Sequence, residues 1–141
     1  MDPLSIIAGT AGTVAFALHT ADKLCDFARS IRDAPAEITA IVKDCESLAE
    51  ILETLRGWID SGMIKHSAET LLSGPLGACT TTMTQIQSAL EPYTRKTDKG
   101  EFRLRWRGFG WTFKRQEMRD LRDRLQHGKV TLSISINIIT T

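Results

Sequence analysis

A stripe of apolar residues in the first half of the chain constrains the fold more than any other feature. Its members follow one another at intervals of three and four residues: Ile38, Ile41, Cys45, Leu48, Leu52, Leu55 and Ile59. An α-helix has about 3.6 residues per turn, so this spacing places all seven on one side of a helix. The stripe therefore predicts a helix over about Pro35–Asp60 that buries one face, with Gly62 as its stop signal.

Two later segments repeat the same spacing. The first predicts a helix from Leu76 that ends near Pro92, with these inner positions: Leu76, Cys79, Met83, Ile86, Leu90 and Tyr93. The second predicts a helix that begins near Thr112 or Lys114, with these inner positions: Met118, Leu121, Leu125, Gly128 and Leu132. Between helices two and three, residues 63–77 are predicted to be a connection that Gly74-Pro75 breaks, with a short helix over 67–72 as an alternative.

The N-terminal run is suited both to the core of a protein and to the interior of a membrane. From Pro3 to Ala21 it has no residue with a permanent charge, and as a helix it would span roughly 28 Å, close to the ~30 Å hydrocarbon core of a bilayer. It also has the stripe of a core helix: Leu4, Ile7, Ala11, Val14, Leu18, Ala21, Cys25 and Ala28. Its many small residues disfavour a permanent membrane span, and the acidic Asp2 disfavours a signal peptide. We expect a first helix over about Pro3–Ser30.

Together these segments predict an all-α fold, a helical bundle of four main helices with a short fifth as an alternative. At 141 residues the chain forms one domain, 1–141, that can bury a sizeable core. The tail, residues 130–141, is compatible with either a strand or a helix. Leu132, Ile134, Ile136 and Ile138 alternate with polar residues as in a strand, whereas Leu132, Ile136 and Ile139 continue the helical stripe.

Charge is unevenly distributed along a chain whose formal net charge is only +1. Residues 1–94 hold 6 Lys and Arg against 12 Asp and Glu, and residues 95–141 hold 12 against 5. The basic excess begins in segment 95–115, where Trp106, Phe109, Trp111 and Phe113 interleave with the cations. Such a segment suits anionic lipid, where each basic residue contributes up to ~1 kcal/mol, or a solvated surface. Nucleic acid is not an expected partner, because no nucleic-acid-binding motif accompanies the charge.

The reactive side chains give no pattern of catalysis. Cys25, Cys45 and Cys79 fall on apolar stripes and lack zinc-ligand spacing, so we expect three reduced, buried thiols. The three histidines are isolated, and Gly9–Thr13 lacks the lysine of a phosphate-binding loop. We therefore expect no enzymatic activity, no cofactor and no metal.

The opening MDPLSIIAGTAGTVAFALHTADKL closely resembles the start of fungal STAND (NLR-type) receptors and related cell-death proteins. Their N-terminal domain is called HeLo-like (HELL). Pro35 with Glu37–Leu55, Pro75-Leu76 with Cys79, and segment 111–139 resemble its second, third and last helices, which favours a helical tail here. The resemblance implies a bundle similar to the four-helix killer domain of mixed-lineage kinase-domain-like pseudokinase.

The resemblance also implies a function and its partners. Such a domain is cytoplasmic at rest and, once a receptor or a C-terminal amyloid motif drives homo-oligomerisation, its first helix disturbs the plasma membrane. No such trigger is visible here, so we expect the N-terminal domain of a longer protein. The implied membrane-active residues are Leu4, Ile6, Ile7, Ala8, Gly9, Gly12, Val14, Phe16 and Leu18. The basic and aromatic residues expected to contact anionic lipid are Arg95, Lys96, Lys99, Arg103, Arg105, Trp106, Arg107, Trp111, Lys114 and Arg115. A non-lytic protein–protein interaction module of such a receptor is the alternative.

Overall fold

The computed structural model describes residues 3–32, 35–64, 66–96, 102–104 and 109–140, with side-chain environments for 11–31, 35–64, 70–92 and 115–140. Four long helices dominate: α1 (Pro3–Arg29), α2 (Ala36–Asp60), α3 (His66–Leu90) and α4 (Phe109–Ile139). A single 3-10 turn follows α3 at Glu91–Tyr93. The predicted all-α, four-helix bundle is confirmed.

Helices α1 and α2 lie close to their predicted bounds. The α2 stripe is fully buried from Ile38 to Leu55, and Ile59 packs against it while partly exposed. The helix stops where Gly62 adopts a left-handed φ of 74°. There the Met63 amide donates to the Trp58 carbonyl and the Gly62 amide donates to the Ile59 carbonyl. This pair of hydrogen bonds satisfies carbonyls that the end of a helix leaves unpaired, so Gly62 is the predicted stop.

The predicted break at Gly74-Pro75 is wrong. Helix α3 begins at His66 and continues through Pro75, so segment 67–72 belongs to it and is not a separate short helix. A proline inside a helix removes one hydrogen bond and costs about 3 kcal/mol. Leu72, four residues before Leu76, is fully buried. Burial of this extra turn offsets the cost of the proline, and the turn lies outside the predicted stripe, which begins at Leu76.

The composition of the basic, glycine-containing segment 94–111 predicts a loop, and this prediction is wrong in part because the segment contains two strands. Three short strands, β1 (Ile31–Arg32), β2 (Thr94–Lys96) and β3 (Phe102–Leu104), form one sheet in the order β1-β3-β2. Strand β3 pairs parallel to β1 and antiparallel to β2. Because β1 directly follows α1 and β2 directly follows the 3-10 turn, the sheet joins the ends of α1 and α3.

Helix α4 begins at Phe109, a few residues earlier than predicted, and continues through the ambiguous tail to Ile139. Its predicted inner positions from Met118 to Leu132 are all buried. The alternation of the tail therefore reflects two sides of one helix. Leu132 is buried and Ile136 and Ile139 pack against the core, whereas Ile134 and Ile138 are exposed.

The helices pack in a ring. Helix α1 packs mainly against α2 and α3, and α4 packs mainly against α3 and α2. One cluster of buried apolar side chains, contributed by all four helices and β1, fills the centre. Gly128 lets α4 approach α3 closely, because a Cβ at this position would lie 3.0 Å from Cys79 Sγ.

Candidate functional site

The first half of the candidate site is the N-terminal part of α1, which is one continuous helix through the whole uncharged run. Val14 and Leu18, both predicted to be membrane-active, are buried in the core of the bundle. Gly12 is exposed, and Phe16 has 59% of its surface exposed. Five further predicted residues lie on the same helix, with side chains outside the described set: Leu4, Ile6, Ile7, Ala8 and Gly9.

The inner face of α1 shows why this helix needs small residues. Ala17, Ala21 and Ala28 are buried between larger side chains such as Leu24. Small side chains let α2 and α3 approach closely on either side. None of the helices, over the residues that the structure describes, combines the length and apolar character that crossing a bilayer requires.

The second half of the candidate site is the basic segment. Arg95 and Lys96 lie in β2, Arg103 lies in β3, and Trp111 and Lys114 lie in the first turns of α4. Four predicted residues fall outside the described part of the chain: Lys99, Arg105, Trp106 and Arg107.

Arg115 is the one predicted lipid contact whose side-chain environment is described. Its Nε atom lies 3.0 Å from Oε1 of Glu37, at the start of α2. The ion pair leaves 41% of the arginine side chain exposed. Arg115 is therefore a contact between helices as well as a surface cation.

The sheet register brings three arginines into one row. Arg103 is the partner of Arg95 in β2 and of Arg32 in β1. Like charges at directly opposed positions of a sheet are unfavourable, and an anion placed near them offsets that cost. The sequence analysis did not include Arg32, which lies 63 residues before Arg95 and joins it only through strand pairing.

The two halves of the candidate site lie at opposite ends of the bundle. The sheet and the Arg115–Glu37 pair mark the end where α1 and α3 finish and α2 and α4 begin. Ala11 and Val14 instead share a small cavity with Ile59 and Asp60, at the end of α2. As a helix of 27 residues, α1 is about 40 Å long. The fold therefore places the predicted membrane-active helix and the predicted lipid-contacting segment at different ends of the bundle.

Acidic residues of α2 pair with basic residues of the neighbouring helices. Besides Glu37, Glu46 pairs with Arg29 of α1 and Asp44 pairs with Arg122 of α4. The uneven charge of the sequence thus serves in part to join α2 to its neighbours.

Cys25 of α1 and Cys45 of α2 meet in the interface between these helices. The Cys25 thiol lies 3.9 Å from the Val42 carbonyl, one turn before Cys45. A side-chain hydrogen bond from Cys45 lowers the pKa of Cys25, and Arg29 lowers it further. The same hydrogen bond and burial raise the pKa of Cys45. Burial of all three cysteines is confirmed, but the sequence did not predict that two of them are neighbours.

Other polar groups form no recognisable centre of chemistry. His19 and His127 are exposed on α1 and α4, and the side chain of His66 lies outside the described set. No group of three His, Cys, Asp or Glu residues that could hold a metal occurs within the part of the chain that was described. A surface cavity of about 710 Å³ lies between α1 and α2 and is mostly acidic.

The fold and charge pattern define a class of protein: a small four-helix bundle with a basic sheet at one end. The chain belongs to the family described as "Pigment biosynthesis cluster protein PigL N-terminal" (PigL_N), whose sequence profile matches residues 1–141. This family is a fungal domain related to the HeLo-like domains. No curated protein and no solved structure matches the chain significantly.

Proposed function

We propose that this chain is a membrane-targeting domain that induces cell death, with α1 as the membrane-active element. In this proposal the domain rests in the cytoplasm, and homo-oligomerisation brings α1 helices to the plasma membrane. An upstream receptor or a C-terminal signalling motif outside this sequence supplies the trigger. The proposal involves no catalysis and no cofactor.

The main support for the proposal is that α1, an uncharged helix over most of its length, buries one face and exposes the other. The inner face of α1, including Val14 and Leu18, belongs to the core, while Phe16 and Gly12 face solvent. A helix free of permanent charge over most of its length can exchange protein contacts for lipid contacts without burying a charge. The scarcity of large apolar residues keeps the bound and free states close in energy, as a switch needs.

The separation of the two halves of the site suggests an order of events. The arginine row of Arg32, Arg95 and Arg103 gives one end of the bundle an attraction for anionic lipid. The N-terminal part of α1 lies at the far end, so binding through the row leaves it away from the bilayer. The helix must therefore leave its place between α2 and α3 before it can enter the membrane.

Dye release and flotation with liposomes test this proposal. The chain is compared on anionic and neutral vesicles, with and without forced oligomerisation, after circular dichroism shows that each variant folds. We expect Arg95→Gln with Arg103→Gln to weaken flotation on anionic vesicles. Arg119→Gln, an exposed cation on α4, is the matched control and should bind normally.

A second set of variants addresses α1. Phe16→Lys changes an exposed position and should leave the fold intact while dye release falls strongly. Met63→Lys, at an exposed position on the connection after α2, should release dye normally. Absence of both flotation and release under every condition would overturn the membrane proposal.

One observation favours the alternative of a non-lytic interaction module. Val130, Ile134 and Ile138 recur every four residues on α4, and all three are exposed. Such a row of apolar side chains is typical of a contact with a partner helix. In this alternative the domain is a regulatory module of a receptor or of a protein from a pigment biosynthesis cluster. It predicts no dye release, and loss of partner or self-association in Ile134→Asp.

A further inference from the structure

Two contacts bring one turn of α1 onto one turn of α2. The Cys25 thiol donates to the Val42 carbonyl at 3.9 Å, and Arg29, one turn later on α1, pairs with Glu46. Cys45 lies between Val42 and Glu46 in the sequence and is fully buried. The side chains of Cys25 and Arg29 thus both reach the turn of α2 that contains Cys45, and the Cys25 and Cys45 side chains are close enough to shift each other's pKa.

Of the two cysteines, only Cys25 is reached from the surface cavity between α1 and α2. Cys25 retains 4% of its surface exposed and lines the cavity between α1 and α2, whereas Cys45 does not line it. Asp22, Asp26 and Glu50 are among the other lining residues, so the opening is acidic. An acidic opening disfavours anionic reagents and admits small neutral ones.

The two thiols also differ in reactivity. The thiolate is the form that reacts with oxidants, and its formation is favoured at Cys25 by Cys45 and Arg29. Burial instead raises the pKa of Cys79 to about 11. Cys79 faces Gly128 between α3 and α4, whereas the pair lies between α1 and α2, and Cys79 serves as an internal control.

We propose that Cys25 and Cys45 form an oxidation-sensitive pair, in which a small neutral peroxide converts them into a disulfide that cross-links α1 to α2.

The chemistry requires only the peroxide as oxidant. The Cys25 thiol releases its proton and the thiolate attacks one peroxide oxygen. The O–O bond breaks, Cys25 becomes a sulfenic acid, and the other oxygen takes up the released proton and leaves as water or an alcohol. The Cys45 sulfur then attacks the Cys25 sulfur, and hydroxide leaves with the Cys45 proton as water. Two thiols lose two electrons in total, and the peroxide gains them.

The cross-link has a consequence that rests on the proposed function. A disulfide between neighbouring helices prevents α1 from leaving α2, which is the movement that membrane insertion requires. Oxidation would therefore hold the domain in its resting form, and reduction would release it.

Peptide mapping tests the pair without reference to membranes. The full chain is treated with hydrogen peroxide, free thiols are blocked in denaturant, and the sample is digested with trypsin without reduction. Cleavage at Lys and Arg places Cys25 in peptide 24–29 and Cys45 in peptide 44–56. We expect these two peptides to be joined, and the peptide with Cys79 to be recovered with a blocked thiol.

Single substitutions identify the role of each thiol. In Cys45→Ala, dimedone should label a sulfenic acid at Cys25, whereas Cys25→Ala should give no label at Cys45. The matched control Cys79→Ala should still form the cross-link. Because mapping of the unmodified chain needs no variant, a variant that fails to fold leaves the test intact. A chain that keeps three free thiols, or that links Cys79, overturns the proposal.

Liposomes separate this proposal from the proposed function. Oxidised protein should release no dye, and dithiothreitol should restore release together with a lower midpoint of thermal unfolding. A cross-link with unchanged dye release would overturn the regulatory role alone. A cross-link in a protein that never releases dye would confirm the pair and count against the membrane function.

Discussion

The Arg122 guanidinium and the Asp44 carboxylate join α4 to α2 across 78 residues of sequence, with 2.8 Å between Nε and Oδ2. Their side chains are only 31% and 25% exposed. Partial burial reduces screening by solvent, so this contact contributes more than a surface ion pair does.

A double-mutant cycle in urea measures that contribution. We expect Asp44→Ala and Arg122→Ala each to lower the free energy of unfolding by roughly 1 kcal/mol, with a coupling energy of about 0.5–1 kcal/mol. The Arg56–Asp60 pair, which is 4.0 Å apart and more than half exposed, is the control. A coupling energy no larger than that of the control would show that the α2–α4 contact does not stabilise the fold.

The tail offers a direct test of helix against strand. Leu132 and Ile134 share a face in a strand, but in α4 Leu132 is buried and Ile134 is 54% exposed. We expect Leu132→Ala to cost about 2–4 kcal/mol and Ile134→Ala less than about 0.5 kcal/mol. Chemical denaturation measures both values, and equal losses would support the strand.

Pro75 lies inside α3, where it lacks an amide donor for the helix. We expect Pro75→Ala to raise the free energy of unfolding by about 1–3 kcal/mol. Pro92→Ala, in the 3-10 turn after α3, should change it by less than about 0.5 kcal/mol. Thermal unfolding compares the two variants, and destabilisation by Pro75→Ala would mean that the proline marks a true helix start.

Because α3 and α4 approach closely where Gly128 faces Cys79, we expect substitutions at these two positions to have non-additive effects on the free energy of unfolding. Gly128→Ala improves helix propensity by about 1 kcal/mol, but the new Cβ would lie 3.0 Å from Cys79 Sγ. We expect Gly128→Ala to destabilise the native chain by roughly 1 kcal/mol and to stabilise a Cys79→Ala chain by about 0.5–1 kcal/mol. Denaturation of the four proteins measures the cycle, and additive effects would show that the sulfur does not limit the approach.

Residue spacing alone predicted helices α1 and α2, the greater part of α3 and α4, and most of the core. The stripe from Ile38 to Leu55 is buried without exception. It could be predicted because a helix has about 3.6 residues per turn, so apolar residues at intervals of three and four lie on one face. The low helix propensity of proline made the prediction wrong at Pro75. There the cost of the proline is local, but the compensating burial of Leu72 depends on neighbouring helices.

Only the tertiary structure decided which distant residues meet. The arginine row arises from the pairing of β3 with β1 and β2, and Cys25 reaches the turn of α2 that contains Cys45 because of the way α1 lies against α2. The separation of the basic sheet from the N-terminal part of α1 follows from the directions of the helices. A periodic sequence specifies which face of a helix turns inward, but the partner of that face is set by how all the helices pack together.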